Sequence, residues 1–128
     1  MDKNLYDAGM KVRRQVLGDE YVDAALASVT PLTKGLQDLI AEFVWGAIWT
    51  RPQLPLKTRS LINLGMLTAL NRPAELKLHI RGALNNGCSR EEIAEALLQS
   101  AGYCGVPAAI DGFRVAREVF ESYQPEQQ

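Results

Sequence analysis

Residues 56–73 read LKTRSLINLGMLTALNRP, and this stretch decides the fold class. Apolar side chains over residues 56–70 would occupy nearly every face of a helix, whereas a strand exposed on one face would alternate apolar and polar residues. A helix that is apolar all round in a soluble protein is buried, either at a domain centre or between subunits. Asn71 can end this helix, and Pro73 suits the first turn of the next one. The stretch therefore predicts a helix, a tight turn and a second helix.

Helix signals continue on the C-terminal side. The second helix carries apolar residues at helical spacing and ends at Gly87. Ser89 and Glu92 have the spacing of a capping box, which predicts a helix that runs to about Tyr103. Residues 105–107, Gly-Val-Pro, predict a break before a last amphipathic helix and a polar tail at 124–128. The apolar positions of that last helix are Ile110, Phe113, Val119 and Phe120.

The N-terminal side also consists of helix signals. A first helix can start at Asp2 or Asn4 and end at Gly18, and a short segment from 19 to 27 follows. Thr30-Pro31 marks a break, because the residue before proline avoids helical angles. A stronger helix is predicted from 33 to 49. We therefore expect an all-α fold of six or seven helices in a single domain that spans residues 1–128.

Composition narrows the class of partner. The 128 residues carry fourteen Lys and Arg against fifteen Asp and Glu, a net charge of −1, with 47% apolar residues. This balance argues against binding to nucleic acid or to a membrane surface, since both require a basic patch. No apolar run approaches the roughly 18 residues of a membrane span, and no secretion signal is recognisable, so we expect a cytoplasmic protein. The apolar surplus also predicts a homo-oligomer.

The chemistry-bearing residues are few. No glycine-rich phosphate loop, nucleophile elbow or metal-ligand cluster is present, and two cysteines, Cys88 and Cys104, accompany a single histidine. We therefore expect no metal site and no disulfide, and we interpret both cysteines as small, partly buried residues. His79 is the natural proton donor or acceptor because its ordinary pKa lies near neutrality, although pairing with Glu75 on the same helix would be a purely structural role.

Other polar residues lie among apolar ones. Glu42 shares a helix face with Trp45 and Trp49, so it is either a partly desolvated carboxylate that orients a histidine or an ordinary solvated charge. Arg51 and Arg81 can bind carboxylates through two hydrogen bonds, although most arginines form surface ion pairs. Tyr103 can line a pocket or can pack structurally.

Several segments together resemble one known family. They are residues 42–52 (EFVWGAIWTRP), 58–61 (TRSL), 78–84 (LHIRGAL), 86–93 (NGCSREEI) and 105–109 (GVPAA). In this order, and over most of the chain, they are similar to the carboxymuconolactone decarboxylase family. The family is all-helical, of the alkylhydroperoxidase-like superfamily, and forms ring-like homo-oligomers that are often hexamers.

The resemblance implies an activity. It implies a carboxy-lyase that decarboxylates 4-carboxymuconolactone, a small carboxylated lactone, to β-ketoadipate enol-lactone in the protocatechuate branch of aromatic catabolism. It also implies catalytic roles for His79 and Glu42. No cofactor is expected, because the lactone can itself accept the electrons that CO2 leaves behind.

The remaining site residues follow from that chemistry. His79 would deliver a proton to carbon and Glu42 would orient it, while Arg51 and Arg81 are the leading binders of the substrate carboxylates. Tyr103 is a candidate for stabilising the oxyanion. Trp45 and Trp49 would desolvate the departing carboxylate.

Different functions stay open at this point. Alkylhydroperoxidase-like proteins of the same superfamily use two cysteines before a histidine, but Arg72 and Glu75 occupy those positions here, and Ser60 replaces the upstream glutamate. A thiol peroxidase or redox protein is therefore disfavoured, since its redox pair needs two close sulfurs. A decarboxylase or isomerase of a related lactone or keto acid remains compatible with the sequence, and so does a non-catalytic assembly module.

Overall fold

The computed structural model describes residues 1–125 and confirms the all-α class. Within these residues every regular element is a helix, and Glu126 to Gln128, the end of the predicted polar tail, lie outside them. The elements are α1 (Lys3–Leu17), α2 (Asp19–Ala27), α3 (Lys34–Leu39), a π-helix (Ile40–Trp49), α4 (Leu56–Ala69), α5 (Pro73–Asn85), α6 (Arg90–Cys104) and α7 (Val106–Ser122).

Contacts within the chain define two compact units, residues 1–55 and residues 56–128. The first unit contains α1 to α3 and the π-helix, and the second contains α4 to α7. The single domain over residues 1–128 therefore stays a prediction. Among the described residues, no helix is both long enough and apolar enough to span a membrane.

The first helix begins and ends where its sequence signals lie. The Asp2 side chain accepts hydrogen bonds from the backbone N–H groups of Asn4 and Leu5, at 2.9 and 3.2 Å, and so satisfies two donors of the first turn. Gly18 follows the helix with φ of 90°, a value that glycine adopts without a steric penalty. The predicted segment from 19 to 27 is confirmed as α2.

The predicted helix over 33–49 is present but changes type. It is α-helical only through Leu39 and continues as a ten-residue π-helix from Ile40 to Trp49. The predicted helix is therefore confirmed, and its π-helical winding was not predicted. An apolar stripe is compatible with either winding over two turns, so the sequence pattern does not distinguish them.

Two glycines allow α1 to pack closely against the π-helix. A Cβ on Gly9 would collide with the carbonyl oxygen of Ala41 and the backbone of Gly46. A Cβ on Gly46 would likewise collide with the carbonyl of Leu5. The two backbones therefore touch at a crossing that no larger residue would permit.

The core of the second unit is assembled from all four of its helices. Leu64, Ile80, Ile93, Leu97 and Val119 are fully buried within it. Burying side chains of this kind contributes roughly 1.5–3 kcal/mol each, which makes this cluster the main stabilising feature of the unit. Cys88 is also part of the cluster.

Helix α4 is buried along one stripe and not all round. Its buried residues are Ser60, Leu64 and Thr68, spaced four apart, whereas Ile62 and Met66 are 42% and 57% exposed. The sequence left open whether α4 is buried at a domain centre or between subunits, and within the single chain only one stripe of α4 meets the other helices. Ile110 and Phe113 of α7 are exposed as well, whereas Val119 is fully buried as its apolar position predicted, together with small residues such as Ala109 and Gly112.

Two local motifs end and start the helices of the second unit. Asn71 has φ of 53°, and the N–H groups of Asn71 and Arg72 donate to the carbonyls of Thr68 and Leu67, which is a Schellman ending of α4. At the start of α6, Ser89 and Glu92 exchange the two hydrogen bonds of a capping box. Both ends agree with the sequence prediction.

Candidate active site

His79 lies on α5 in the second unit, at the edge of the buried stripe. Its ring is half-buried, and its Nδ1 atom lies 3.4 Å from the side-chain nitrogen of Asn63 on α4. Ile80, the next residue, is fully buried in the core and fixes the helix face from which the imidazole projects. The histidine is therefore positioned by packing and by a contact with a neighbouring helix.

Burial determines the protonation state of this histidine. Desolvation lowers the pKa of His79 to about 4, and the carboxylate of Glu75 only partly opposes that shift. At neutral pH the free protein thus holds a neutral imidazole, which can accept a proton or donate a hydrogen bond from one nitrogen. An anionic group beside the ring would raise this pKa, because it would stabilise the protonated imidazole.

Asn63 is a site residue that the sequence reasoning missed. The available signal was its amide side chain in the otherwise apolar run from Leu61 to Leu67. A polar residue in such a run is either paired or functional, since burying an unpaired amide is costly. Here its amide faces the histidine ring on the adjacent helix.

Glu42, Trp45 and Trp49 lie together on the π-helix of the first unit. A Glu42 carboxylate oxygen accepts a hydrogen bond from the backbone N–H of Asp2 at 2.9 Å. The two indoles are stacked with ring centroids 4.6 Å apart, and they are only 3% and 5% exposed. The buried, stacked indoles therefore contribute to the stability of the first unit whether or not they have a role in catalysis.

The remaining candidates are on the surface. Arg51 follows the π-helix in the first unit, and Arg81 is exposed on α5 two residues after His79. Tyr103 is 86% exposed and lines a groove of about 840 Å³ between α4 and α6. Ile62 and Glu95 also line this groove, which His79 and Asn63 do not.

The structure groups the predicted residues by unit. Glu42, Trp45, Trp49 and Arg51 belong to the first unit, and His79, Arg81 and Tyr103 belong to the second. The pairing of Glu42 with His79 therefore stays a prediction.

The cysteines do not form a redox pair in the structure. Both are free; Cys88 is buried and its thiol lies 3.5 Å from the carbonyl oxygen of Lys57, whereas Cys104 is exposed. Burial raises the pKa of the Cys88 thiol to about 11, so it is protonated at neutral pH. Because the thiolate is the reactive form, this environment disfavours peroxidase chemistry. Within the described chain, no cluster of three or more histidine, cysteine or acidic side chains is arranged for a metal ion.

Comparison with known proteins relates the chain to one family. A model of the carboxymuconolactone decarboxylase family matches residues 34–118. The nitrosuccinic acid decarboxylase npaB of Metarhizium robertsii is 47% identical over 118 residues, which cover 92% of this chain and 82% of that protein. The 4-carboxymuconolactone decarboxylase of Acinetobacter baylyi is 38% identical over 120 residues, which cover 94% and 90%.

The chain belongs to the carboxymuconolactone decarboxylase family. Both of these relatives are decarboxylases by name, and the protein is accordingly an enzyme of the carboxy-lyase class.

Proposed function

We propose that the protein decarboxylates 4-carboxymuconolactone to β-ketoadipate enol-lactone, in the cytoplasm and as a step of protocatechuate catabolism. The observation that carries this proposal is the neutral, half-buried imidazole of His79, held against Asn63 in a member of this family. Such a ring can lie next to a carboxylated substrate, take up a proton from solvent and deliver it to carbon.

The substrate supplies its own electron sink. When the carbon–carbon bond to the carboxylate breaks, CO2 leaves and the bonding electrons pass through the ring double bond to the lactone carbonyl. The resulting enolate must then accept one proton at the carbon next to that carbonyl. This sequence balances without an external oxidant or reductant, so we propose that no cofactor takes part.

His79 is assigned the delivery of that proton. A pKa of about 4 makes the free imidazole a poor donor at neutral pH, but two substrate carboxylates would stabilise the protonated ring. In our proposal Glu42 orients His79, and the stacked Trp45 and Trp49 desolvate the departing carboxylate of the substrate. His79 is thus the proton donor in this proposal, and Glu42 positions it.

The substrate carboxylate that is retained needs a cationic partner. In our proposal Arg81 and Arg51 bind it, and Tyr103 donates to the enolate oxygen. Replacing the true anion-binding arginine by lysine should mainly raise KM, because the charge stays while the two-point geometry is lost.

Nitrosuccinate is a second candidate substrate. The higher identity, 47%, is to a relative named for that acid. In this dicarboxylate the nitro group and one carboxylate are attached to the same carbon. When CO2 leaves, the nitro group accepts the bonding electrons, and that carbon then takes up a proton. His79 would again deliver a proton to carbon, but the two substrates differ in shape and would need differently shaped pockets.

Both substrates should be offered to the same preparation of purified protein, treated with a chelator and kept free of thiols. We expect CO2 release and enol-lactone formation from 4-carboxymuconolactone, and a loss of roughly 10²- to 10⁴-fold in kcat for His79→Ala. The matched control is Cys104→Ser, which should keep full activity. Turnover of nitrosuccinate alone would transfer the proposal to the second substrate, and near-full activity of His79→Ala would remove the histidine from the mechanism.

A further inference from the structure

The contact between Asn63 and His79 joins two helices that the core of the second unit holds in place. Leu64, the residue after Asn63 on α4, is fully buried, and so is Ile80, the residue after His79 on α5. Both belong to the same buried cluster. Packing therefore fixes the two backbones from which the amide and the imidazole ring approach each other.

The two atoms in contact determine which side chain donates. The side-chain nitrogen Nδ2 of Asn63 lies 3.4 Å from Nδ1 of His79. An amide nitrogen carries two hydrogens and does not accept hydrogen bonds, so in this contact it is the donor and Nδ1 is the acceptor. The ring is neutral in the free protein, because burial lowers the pKa of His79 to about 4. A neutral ring whose Nδ1 accepts carries its one proton on Nε2.

An amide is suited to a ring that changes its protonation state. When the imidazole is protonated, Nδ1 also carries a hydrogen, which would point at the hydrogens of the amide nitrogen. Half a turn of the amide about χ2 presents Oδ1 of Asn63 instead, and this oxygen accepts from Nδ1–H. A carboxylate at this position would match only a ring with a proton on Nδ1, and an aliphatic side chain would match neither state.

We propose that Asn63 is a positioning residue that sets the tautomer of His79, so that Nε2 is the nitrogen that delivers the proton to the substrate carbon. This inference rests on the proposed function, in which His79 is the proton donor. Asn63 itself does not touch the reacting atoms in this assignment, and it acts through the ring.

The proton steps balance around the ring. With substrate bound, the resting ring takes one proton from solvent at Nδ1, and the amide of Asn63 turns its oxygen toward that nitrogen. Nε2 then transfers its proton to the substrate carbon, where a C–H bond forms, and the ring is left neutral with its proton on Nδ1. After product leaves, Nε2 takes a proton from water, Nδ1 releases one, and the amide turns back. Each turnover thus moves one solvent proton to carbon.

Nitrogen NMR of the isotopically labelled full-length protein tests the tautomer without any substrate. A ring nitrogen that carries a proton and one that carries a lone pair resonate far apart, and the chain has a single histidine. At neutral pH we expect the proton on Nε2 in the wild type. In Asn63→Asp, Nδ1 should carry a proton, because an ionised carboxylate only accepts. In Asn63→Leu the two tautomers should mix, which moves the two resonances toward each other.

Asn86→Ala is the matched control for a purely structural effect. The Asn86 amide donates to Oγ of Ser60 on α4 at 2.8 Å, so it too links a neighbouring segment to that helix. Its loss should leave the ring resonances and kcat as in the wild type. With whichever of the two acids the protein turns over, Asn63→Leu should lower kcat about three- to tenfold with little change in KM, since one hydrogen bond to the ring is lost.

The spectra and the kinetics separate the two proposals. A proton on Nδ1 in the wild type, or the same ring spectrum in wild type and Asn63→Asp, would overturn the role of Asn63 even if turnover is rapid. An unchanged kcat in Asn63→Leu would remove Asn63 from the reaction. The expected spectra without turnover of either acid would instead reject the proposed substrates and support the tautomer.

Discussion

The protonation state of His79 can be measured without ambiguity, because the chain contains one histidine. We expect its imidazole proton resonances in NMR spectra to titrate with a midpoint near pH 4, since burial lowers the pKa of this ring to about 4. Addition of a substrate analogue with two carboxylates should move the midpoint upward. A midpoint near the ordinary value of 6.5 in the free protein would contradict the desolvated position of the ring.

The same shift has a consequence for stability. The unfolded chain binds a proton at His79 below about pH 6.5, whereas the folded chain does so only near pH 4. Between these values the unfolded state holds more protons, so this group's contribution to the free energy of unfolding decreases as the pH falls. Urea unfolding of the wild type and of His79→Gln should show that this pH-dependent component is absent from the variant.

The sequence alone could identify a candidate site residue where few residues of the chain can perform the required chemistry. The lone histidine was identified from its chemistry, and it lies at the edge of the buried stripe as its neighbours Leu76 and Ile80 indicated. Asn63 was not identified, because its role depends on a contact with His79, which lies sixteen residues later in the chain and on another helix.

At the scale of helices, the crossing of α1 and the π-helix provides a matched pair of substitutions. Gly9→Ala should lower the free energy of unfolding by about 1–3 kcal/mol or more, because the new Cβ would collide with the backbone of Ala41 and Gly46. Gly35→Ala is the control: it lies in α3 with nothing within 4 Å of an added Cβ. Removing a helical glycine there should stabilise by about 0.5–1 kcal/mol.

Urea unfolding of both variants measures the two effects side by side. Equal stability of Gly9→Ala and wild type would mean that the helices separate at little cost. A destabilised Gly35→Ala would instead indicate that the position has contacts of its own in the assembled protein.

Helix boundaries were predictable because they depend on local chemistry. The side chain of Asp2, the positive φ of Gly18 and Asn71, and the capping box at Ser89 each act within a few residues. The π-helical winding from Ile40 to Trp49 was not predictable, since both windings present an apolar stripe to a neighbour. The sequence could not predict which faces of α4 are covered within one chain, because that depends on which helices pack against it.

For the whole molecule, the collinear motifs indicated the family and the helical class, and the assembly stays a prediction. A single chain leaves large apolar side chains on α4, α6 and α7 in water, among them Met66, Leu98 and Val106, at 57%, 57% and 59% exposure. Exposed apolar area of this kind is typical of surfaces that associate. We propose that the protein forms a homo-oligomer, as the apolar surplus and the family resemblance predicted, and that the groove between α4 and α6 takes part in it.

Light scattering after gel filtration tests this assembly. The wild type should elute with a mass that is a multiple of 14.1 kDa. Ile62→Glu should lower that mass, because Ile62 lines the groove beside Glu91 and Glu95 and a further carboxylate would be both desolvated and repelled in an interface. Leu32→Glu is the matched control in the first unit, since Leu32 is 91% exposed and outside the groove. A monomeric wild type would contradict the oligomer, and an unchanged mass for Ile62→Glu would place the interface on another face.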